Sequence, residues 1–371
     1  MKARGMKVLH LIPSMESGGA QRLLSVLLPA QAAQGVEVSL ALYHLKGNML
    51  ERNLRREGVA LYSLDAGNGR SLRDMIRAVS GIRRLSRGFD VVHVHLFPAL
   101  YHAAIASVFS SAPYIYTEHS SGNRRRSMPF PVRCLERVVY RTYASLAAVS
   151  GDSASALAEW IGYDTGRVRR VYNGVSAAEG RCAGLRGKCC RDGEVRLLMM
   201  SRFVDAKDQD RLLRAMAAMR HREVRAVFAG DGPRLQECRH LAEELGIASR
   251  CEFPGHVDDV GRLMAEADIG VQMSHREGFG LAPVEMMAAG LPVVVSNQEG
   301  MIEAVGDAAL VVPVADSMKL AEALDLLIDS EGLRNELIKK GMERSMIFSV
   351  ERCAGDYIKE YRKISAYNFY E

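Results

Sequence analysis

The sequence predicts an α/β protein built as two tandem, doubly wound Rossmann-like domains that face each other across a cleft. Three observations carry this. Short apolar runs alternate with helical patterns along most of the chain, the pattern of a parallel sheet with crossover helices. The alternation breaks once, over residues 177–193, where "AAEGRCAGLRGKCCRDG" has no apolar period. The length, 371 residues, exceeds what one hydrophobic core usually supports.

The elements follow in order. "KVLHLIP" reads as the first strand, and "AQRLLSVLLPAQAAQG" as a helix whose leucines recur at helical spacing before Gly35. "VEVSLALYH" is the second strand, and further strands are expected at 59–64, 90–94, 113–117, 146–149 and 168–171. Residues 177–193 read as a linker. Strands then resume at "VRLLMMS", "VRAVFAG", "CEFPG", "DIGVQMS", "LPVVVS" and "ALVVPV". After residue 331 only helical patterns remain, and Tyr357 and Tyr361, four apart, suit a last helix returning to the first domain. The expected boundaries are 1–176, 177–193, 194–347 and 348–371, the last being that helix.

Composition narrows the class. Apolar residues make up 48% and charged residues 25%, as in an ordinary globular protein. A formal charge of +5 favours anionic partners without requiring nucleic acid. The stretch 91–116 is interrupted by His93, His95, Pro98, His102 and Pro113, so it reads as strand, helix and strand rather than a membrane span. The apolar run at the N-terminus is too short for a signal segment, and a cytoplasmic location is expected. Seven cysteines are scattered, and the cluster of Cys182, Cys189 and Cys190 has no histidine nearby, so reduced thiols are expected rather than a zinc site.

In open parallel sheets ligands bind beyond the carboxyl ends of the strands, so the loops there were read for chemistry. In "SGGAQRLL", Gly18 and Gly19 open the first helix; a ligand-approached anion site and a plain tight turn both fit. In "MMSRFVDAKDQDRLL", Arg202 ends a strand and Lys207 precedes a helix, a pairing that suits a diphosphate and equally a basic surface. Asp208 and Asp210 form an Asp-x-Asp, read as helix-start charge rather than a metal-nucleotide site. "FAGDGPRLQE" is a turn that either lines a site or is structural, and "FPGHVDDV" puts Gly255, His256 and Val257 at another strand end.

The stretch 274–290, "SHREGFGLAPVEMMAAG", carries the most information. Pro283 suits the first turn of a helix that ends before Gly290 in its left-handed position. The amides around Phe279 to Ala282 then form an anion site. Glu277 lies on the loop, within reach of a hydroxyl-rich group. Glu285 is placed in the first helical turn, where charge complementarity with the helix dipole explains it alone. That explanation does not cover Glu277, the two glycines and the proline together.

"EGFGLAPVEMMAAGLPVVVS" resembles the Glu-x7-Glu segment of the retaining, nucleotide-sugar-dependent glycosyltransferases of GT-B fold. "SGGAQR", "DVVHVH", "TEHS", "AVSGDSA", "VYNGV", "SRFVDAKD", "AGDGP" and "FPGHVDDV" fall in that family's order along nearly the whole chain. "FSVE" at 348–351 departs from the family's frequent "FSWE". The resemblance implies that Glu277 binds sugar hydroxyls, with the backbone of Phe279, Gly280 and Leu281 near sugar and phosphate. It places Glu285 on the ribose, Arg202 and Lys207 on the departing diphosphate, and 255–257 at the base. It has Gly18 and Gly19 close on the ligand from the first domain, and sets His119 near the transferred sugar. His119 on its own reads as either a structural or a site histidine, while His93 and His95 share a strand face.

The implied activity is sugar transfer from a UDP- or GDP-sugar to a glycan or lipid-linked acceptor, in cell-surface polysaccharide or glycolipid synthesis. No cofactor and no metal are expected, since Arg202, Lys207 and the helix start supply the positive potential. A non-catalytic nucleotide-sugar or glycan-binding protein and a sugar-nucleotide epimerase are the alternatives. Residues 122–143 hold six arginines and one acid, with Arg133, Arg137 and Arg141 at i, i+4 on one helical face. This segment is a solvated basic face or a site for an anionic membrane surface, on the inner face of the membrane. It has no aromatic interleaving, and nucleic acid is not expected.

Overall fold

The computed structural model describes residues 5–367 apart from Ser17, Ser121, 123–127, 177–193 and Asp258. The expected linker, with Cys182, Cys189 and Cys190, lies outside the described residues, as do Arg124, Arg125 and Arg126. The chain divides into two compact units: Met1–Gly174 with Val350–Glu371, and Val175–Ser349.

The first unit holds seven parallel strands: β1 (Lys7–Ile12), β2 (Glu37–Leu42), β3 (Ala60–Ser63), β4 (Val91–His95), β5 (Tyr114–Glu118), β6 (Ser145–Ala148) and β7 (Val168–Arg170). Their order is β3-β2-β1-β4-β5-β6-β7, so the winding reverses between β1 and β4. The second unit holds six: β8 (Val195–Met200), β9 (Val224–Ala229), β10 (Cys251–Gly255), β11 (Ile269–Gln272), β12 (Val293–Ser296) and β13 (Leu310–Val312). Their order, β10-β9-β8-β11-β12-β13, repeats the plan and reverses between β8 and β11. Both are doubly wound sheets, and ligands in such sheets sit at the reversal, beyond the strand ends.

Period-two alternation sorts the first sheet's side chains. Leu9, Leu11, Val92, Val94, Tyr114 and Tyr116 join one buried cluster. Val8, Ile12, Val91 and Ile115 face the other way, into a cluster with the helices Gly19–Ala33 and Val350–Tyr367. His10, His93, His95 and Thr117 continue this second set, and all four are fully buried. The register sets His10 beside His93 and His95 beside Thr117.

These polar groups satisfy one another. His10 Nδ1 lies 3.1 Å from His95 Nε2, and His10 Nε2 lies 2.9 Å from Gln31 Oε1. The Gln31 amide donates to the Tyr361 hydroxyl at 3.0 Å. His93 bridges Tyr361 at 2.6 Å and Thr117 at 2.7 Å. The last helix therefore seals the first unit with a polar contact inside an apolar one, through Tyr357 and Tyr361.

Burial disfavours imidazolium. It lowers the His10 pKa to about 4, and holds His93 and His95 well below the ordinary 6.5. Between pH 6.5 and 4 the unfolded chain thus binds more protons than the native one. Stability is full above pH 6.5 and falls as pH drops through that window, by about 3 kcal/mol for His10 alone. Urea midpoints measured at pH 7.5, 6 and 5 are expected to fall steadily. A constant midpoint would show that these rings are not held neutral by burial.

Candidate functional site

In the second unit two loops leave the neighbouring strands β8 and β11 at the winding reversal. The first runs through Arg202, which is exposed, to a single 3-10 turn, Asp205–Lys207. The second runs through Glu277 to the helix Leu281–Ala288. Three contacts tie them. The His275 amide donates to the Ala206 carbonyl at 3.2 Å. A His275 ring nitrogen meets the Asp208 carboxylate at 2.8 Å. Lys207 Nζ forms an ion pair with Glu277, the two side chains being 21% and 18% exposed. The pair is thus partly withdrawn from water, where attraction is screened less than between surface charges.

The helix start lies four residues beyond Glu277. Gly280 stands before the helix at φ 79°, a left-handed conformation that favours glycine. Pro283 has no N–H, so the helix start offers the amides of Leu281 and Ala282. The aromatic ring of Phe279 is 2% exposed and packs edge-on against Phe348, with centroids 5.1 Å apart. The ring is therefore committed to packing within this unit. Gly300 closes the loop from behind: a Cβ there would lie 2.6 Å from the Glu277 carbonyl oxygen.

Glu285 differs from its expected place. The helix begins at Leu281, so Glu285 is the fifth helical residue, and it is buried. Charge complementarity in the first turn does not explain it.

The Asp-x-Asp is committed within the protein. Asp208 is buried, precedes the helix Gln209–Ala218 in a left-handed conformation at φ 44°, and pairs with His275. Asp210 lies 3.6 Å from Arg211 and 3.8 Å from Arg234.

The turn after β9 is structural in its contacts, since Phe203 N–H donates to the Asp231 carbonyl at 2.9 Å and Arg234 N–H to the Phe203 carbonyl at 3.1 Å. The Gly255 carbonyl accepts from Gly230 N–H at 2.8 Å, while His256 is exposed and Val257 half-buried beyond the edge strand β10. The structure thus brings Lys207, Glu277 and the 279–281 backbone together. It places Arg202 on the same loop as Lys207, and sets 255–257 two strands away along the same sheet edge.

In the first unit Gly18 precedes the helix Gly19–Ala33 in an extended conformation, φ 171°, that any residue adopts. A Cβ there would meet only the movable Gln21 side chain, so the fold itself does not demand glycine. His119 follows β5, half-buried, with Nε2 3.0 Å from His95 Nδ1. Burial lowers its pKa to about 4. The sequence places His93 and His95 on one strand face but gives no local sign of their partners His10 and Gln31. The alternating histidines of "DVVHVH" were the available signal.

The basic helix is corrected in part. In Phe130–Arg141, Arg133 donates to the carbonyls of Trp160 and Glu159 at 2.7 and 2.6 Å, near the end of the helix Gly151–Ile161. Arg137 packs against Gly162, whose Cβ position would lie 2.6 Å from its guanidinium. These two arginines serve a helix C-terminus rather than an open anion face. Phe130, Leu135 and Val138 are instead exposed, at 70%, 60% and 58%. Among the described residues no helix is long and apolar enough to cross a membrane.

Two parallel doubly wound sheets, with a Glu-x7-Glu loop and helix at the reversal of the second, define a class: the GT-B glycosyltransferases. Family models agree. One described as glycosyl transferases group 1 matches residues 190–344, and one described as Glycosyltransferase Family 4 matches residues 17–179. The chain belongs to this glycosyltransferase family.

It is similar to a glycogen synthase of Mycobacterium tuberculosis, 27% identical over 73% of this chain and 68% of that protein. It is similar to a D-inositol 3-phosphate glycosyltransferase of Frankia alni, 26% identical over 94% of this chain and 95% of the relative. In fold it matches Anabaena Alr3699/HepE, solved with UDP-glucose, at a TM-score of 0.82 and 21% identity, covering 96% of this chain and all of that one (100%).

Gly300→Ala is expected to push the Glu277 loop off Lys207, because the new methyl meets backbone rather than a flexible tip. Stability should drop by about 1–3 kcal/mol, and nucleotide-sugar binding should weaken with it. Unchanged melting and binding would show that the loop relaxes freely.

Proposed function

We propose that the protein is a retaining hexosyltransferase that carries a sugar from a UDP- or GDP-sugar to a glycan or lipid-linked acceptor without a metal. The observation that carries this reading is the Lys207–Glu277 pair set directly before the helix start at Leu281. Glycosyl transfer passes through an oxocarbenium-like state, positive on the ring and negative on the departing diphosphate. A preorganised cation beside helix-start amides lowers that state most where charge develops. Lys207, Arg202 and the amides of Gly280 to Ala282 are assigned to the diphosphate. Glu277 is assigned to sugar hydroxyls, Glu285 to the ribose and 255–257 to the base, with Phe279 and Leu281 contributing backbone.

In the first unit His119 is assigned to the transferred sugar, and Gly18 and Gly19 to close backbone approach to the donor. That nothing in the fold demands glycine at position 18 supports a ligand-side reason for it. The ion pairing of Glu277 supports a sugar-binding role over a nucleophile, so attack by the acceptor on the face the diphosphate leaves is the mechanism inferred. Commitment of Asp208 to His275 supports metal independence. The UDP-glucose complex of the structural neighbour favours UDP.

We place the enzyme in cell-surface polysaccharide or glycolipid synthesis, peripheral on the inner face of the membrane. The exposed Phe130, Leu135 and Val138, with exposed Arg141, support docking on an anionic lipid surface.

Thermal shifts with UDP-, GDP- and ADP-sugars are expected to single out one donor, with about 2.7 kcal/mol of stabilisation at a hundredfold excess over Kd. With that donor, Lys207→Ala should lower kcat by about 100-fold or more while barely moving Tm. Loss of both together would make Lys207 a structural residue. The double change Phe130→Ser, Leu135→Ser is expected to release the protein from anionic vesicles in co-sedimentation. Equal binding by both forms would remove the membrane assignment.

A further inference from the structure

One branch of the buried histidine network leads to His119. The chain begins at Gln31, whose side-chain carbonyl faces His10 Nε2 at 2.9 Å. A carbonyl oxygen only accepts, so His10 Nε2 carries the proton. A neutral imidazole has one N–H, so His10 Nδ1 is bare and accepts from His95 Nε2 at 3.1 Å. His95 Nδ1 is bare in turn and accepts from His119 Nε2 at 3.0 Å. That leaves His119 Nδ1 unprotonated. It has no partner among the described residues, and the His119 side chain is only half-buried.

We propose that Gln31, His10 and His95 are positioning residues that lock His119 in its Nε2-protonated tautomer, so that Nδ1 is presented as a hydrogen-bond acceptor for a ligand hydroxyl. The lock is a property of the folded protein alone. That the hydroxyl belongs to the sugar rests on the function proposed above.

The neutrality the argument needs follows from burial, which lowers the pKa values of all four rings, His93 included. The titratable groups packed on the chain include its own histidines, with Tyr357 and Tyr361 from the last helix, and the Glu118 carboxylate, next to His119 in sequence, accepts from the Ser120 amide at 3.4 Å.

The other side of Gln31 is consistent with the same sense. Its amide donates to Tyr361, the Tyr361 hydroxyl donates to His93 Nδ1, and His93 Nε2–H donates to Thr117. Turning the Gln31 amide round would reverse every donor as far as His119. The protonation of a half-exposed atom is therefore set by one buried amide.

The same rings offer a competing chemistry. The ligand atoms of His10, His93 and His95 lie within 4.8 Å of one another, as a metal site would need. Each of their six ring nitrogens already has a hydrogen-bond partner, however, and a metal would have to break several bonds to bind.

Long-range proton–nitrogen correlation spectra of the full chain, labelled with 15N-histidine, read the tautomers directly. His10, His95 and His119 are expected to show a single Nε2–H form each from pH 6 to 8. Gln31→Leu should convert His119 to a mixture of tautomers and raise the donor's KM by about tenfold. Thr117→Val, at the far end of the other branch, should leave the His119 signals as they are. The proposal is overturned by an Nδ1–H form of His119 in the unaltered protein, by an unchanged His119 in Gln31→Leu, or by an equal response to Thr117→Val. Stoichiometric uptake of Zn2+ that replaces the ring protons would overturn it in favour of a metal site. If the tautomers hold but no nucleotide sugar binds, the functional reading fails and the lock stands.

Discussion

The second unit's site depends on one partly buried ion pair. Lys207 and Glu277 arrive from the ends of neighbouring strands and are held face to face by the bond from His275 to Ala206. The two charges attract each other in a setting only partly open to water, where screening is weaker than at the surface. The pairing fixes Lys207 on the loop that leads into the helix Leu281–Ala288. The glycines and the proline around Glu277 follow from this: they bring backbone close to the pair and free two amides beside it.

The first unit solves the reverse problem. Its sheet buries three histidines with no charge at all, which is tolerable only because each of their ring nitrogens is hydrogen-bonded. The register makes that possible. A slip of one residue in β4 would move His93 and His95 to the face now lined by Val92 and Val94, and every bond those two rings make would be lost. Polarity therefore specifies this sheet's register along with the apolar pattern, and the last helix is fixed by the same network through Tyr361.

Much of this was legible in the chain. The alternation of apolar runs and helices gave both sheets, and the spacing of Glu277, Gly280, Pro283 and Gly290 marked a loop, a helix start and a helix end. Boundaries within that motif were less legible. Pro283 suits several positions in a first turn, and the helix starts early enough to carry Glu285 past its dipole. The pairing of Lys207 with Glu277, seventy positions apart, has no local signal. Nor has that of Gln31 with Tyr361, which joins the first helix to the last. Arg133 and Arg137 show the opposite limit: their spacing reads as a basic face, while their use as donors to a neighbouring helix end is purely tertiary.

The choice of glutamine at position 31 has a physical logic. A carboxylate there would also accept from His10, and more strongly. It would, however, favour imidazolium, putting a proton on both nitrogens of His10. His10 Nδ1 would then donate to His95, His95 would donate to His119, and His119 would turn its N–H outward. An amide sets the direction without adding charge, and its nitrogen donates to Tyr361. A neutral, bifunctional group is thus the side chain that can orient this chain and close it at the same time.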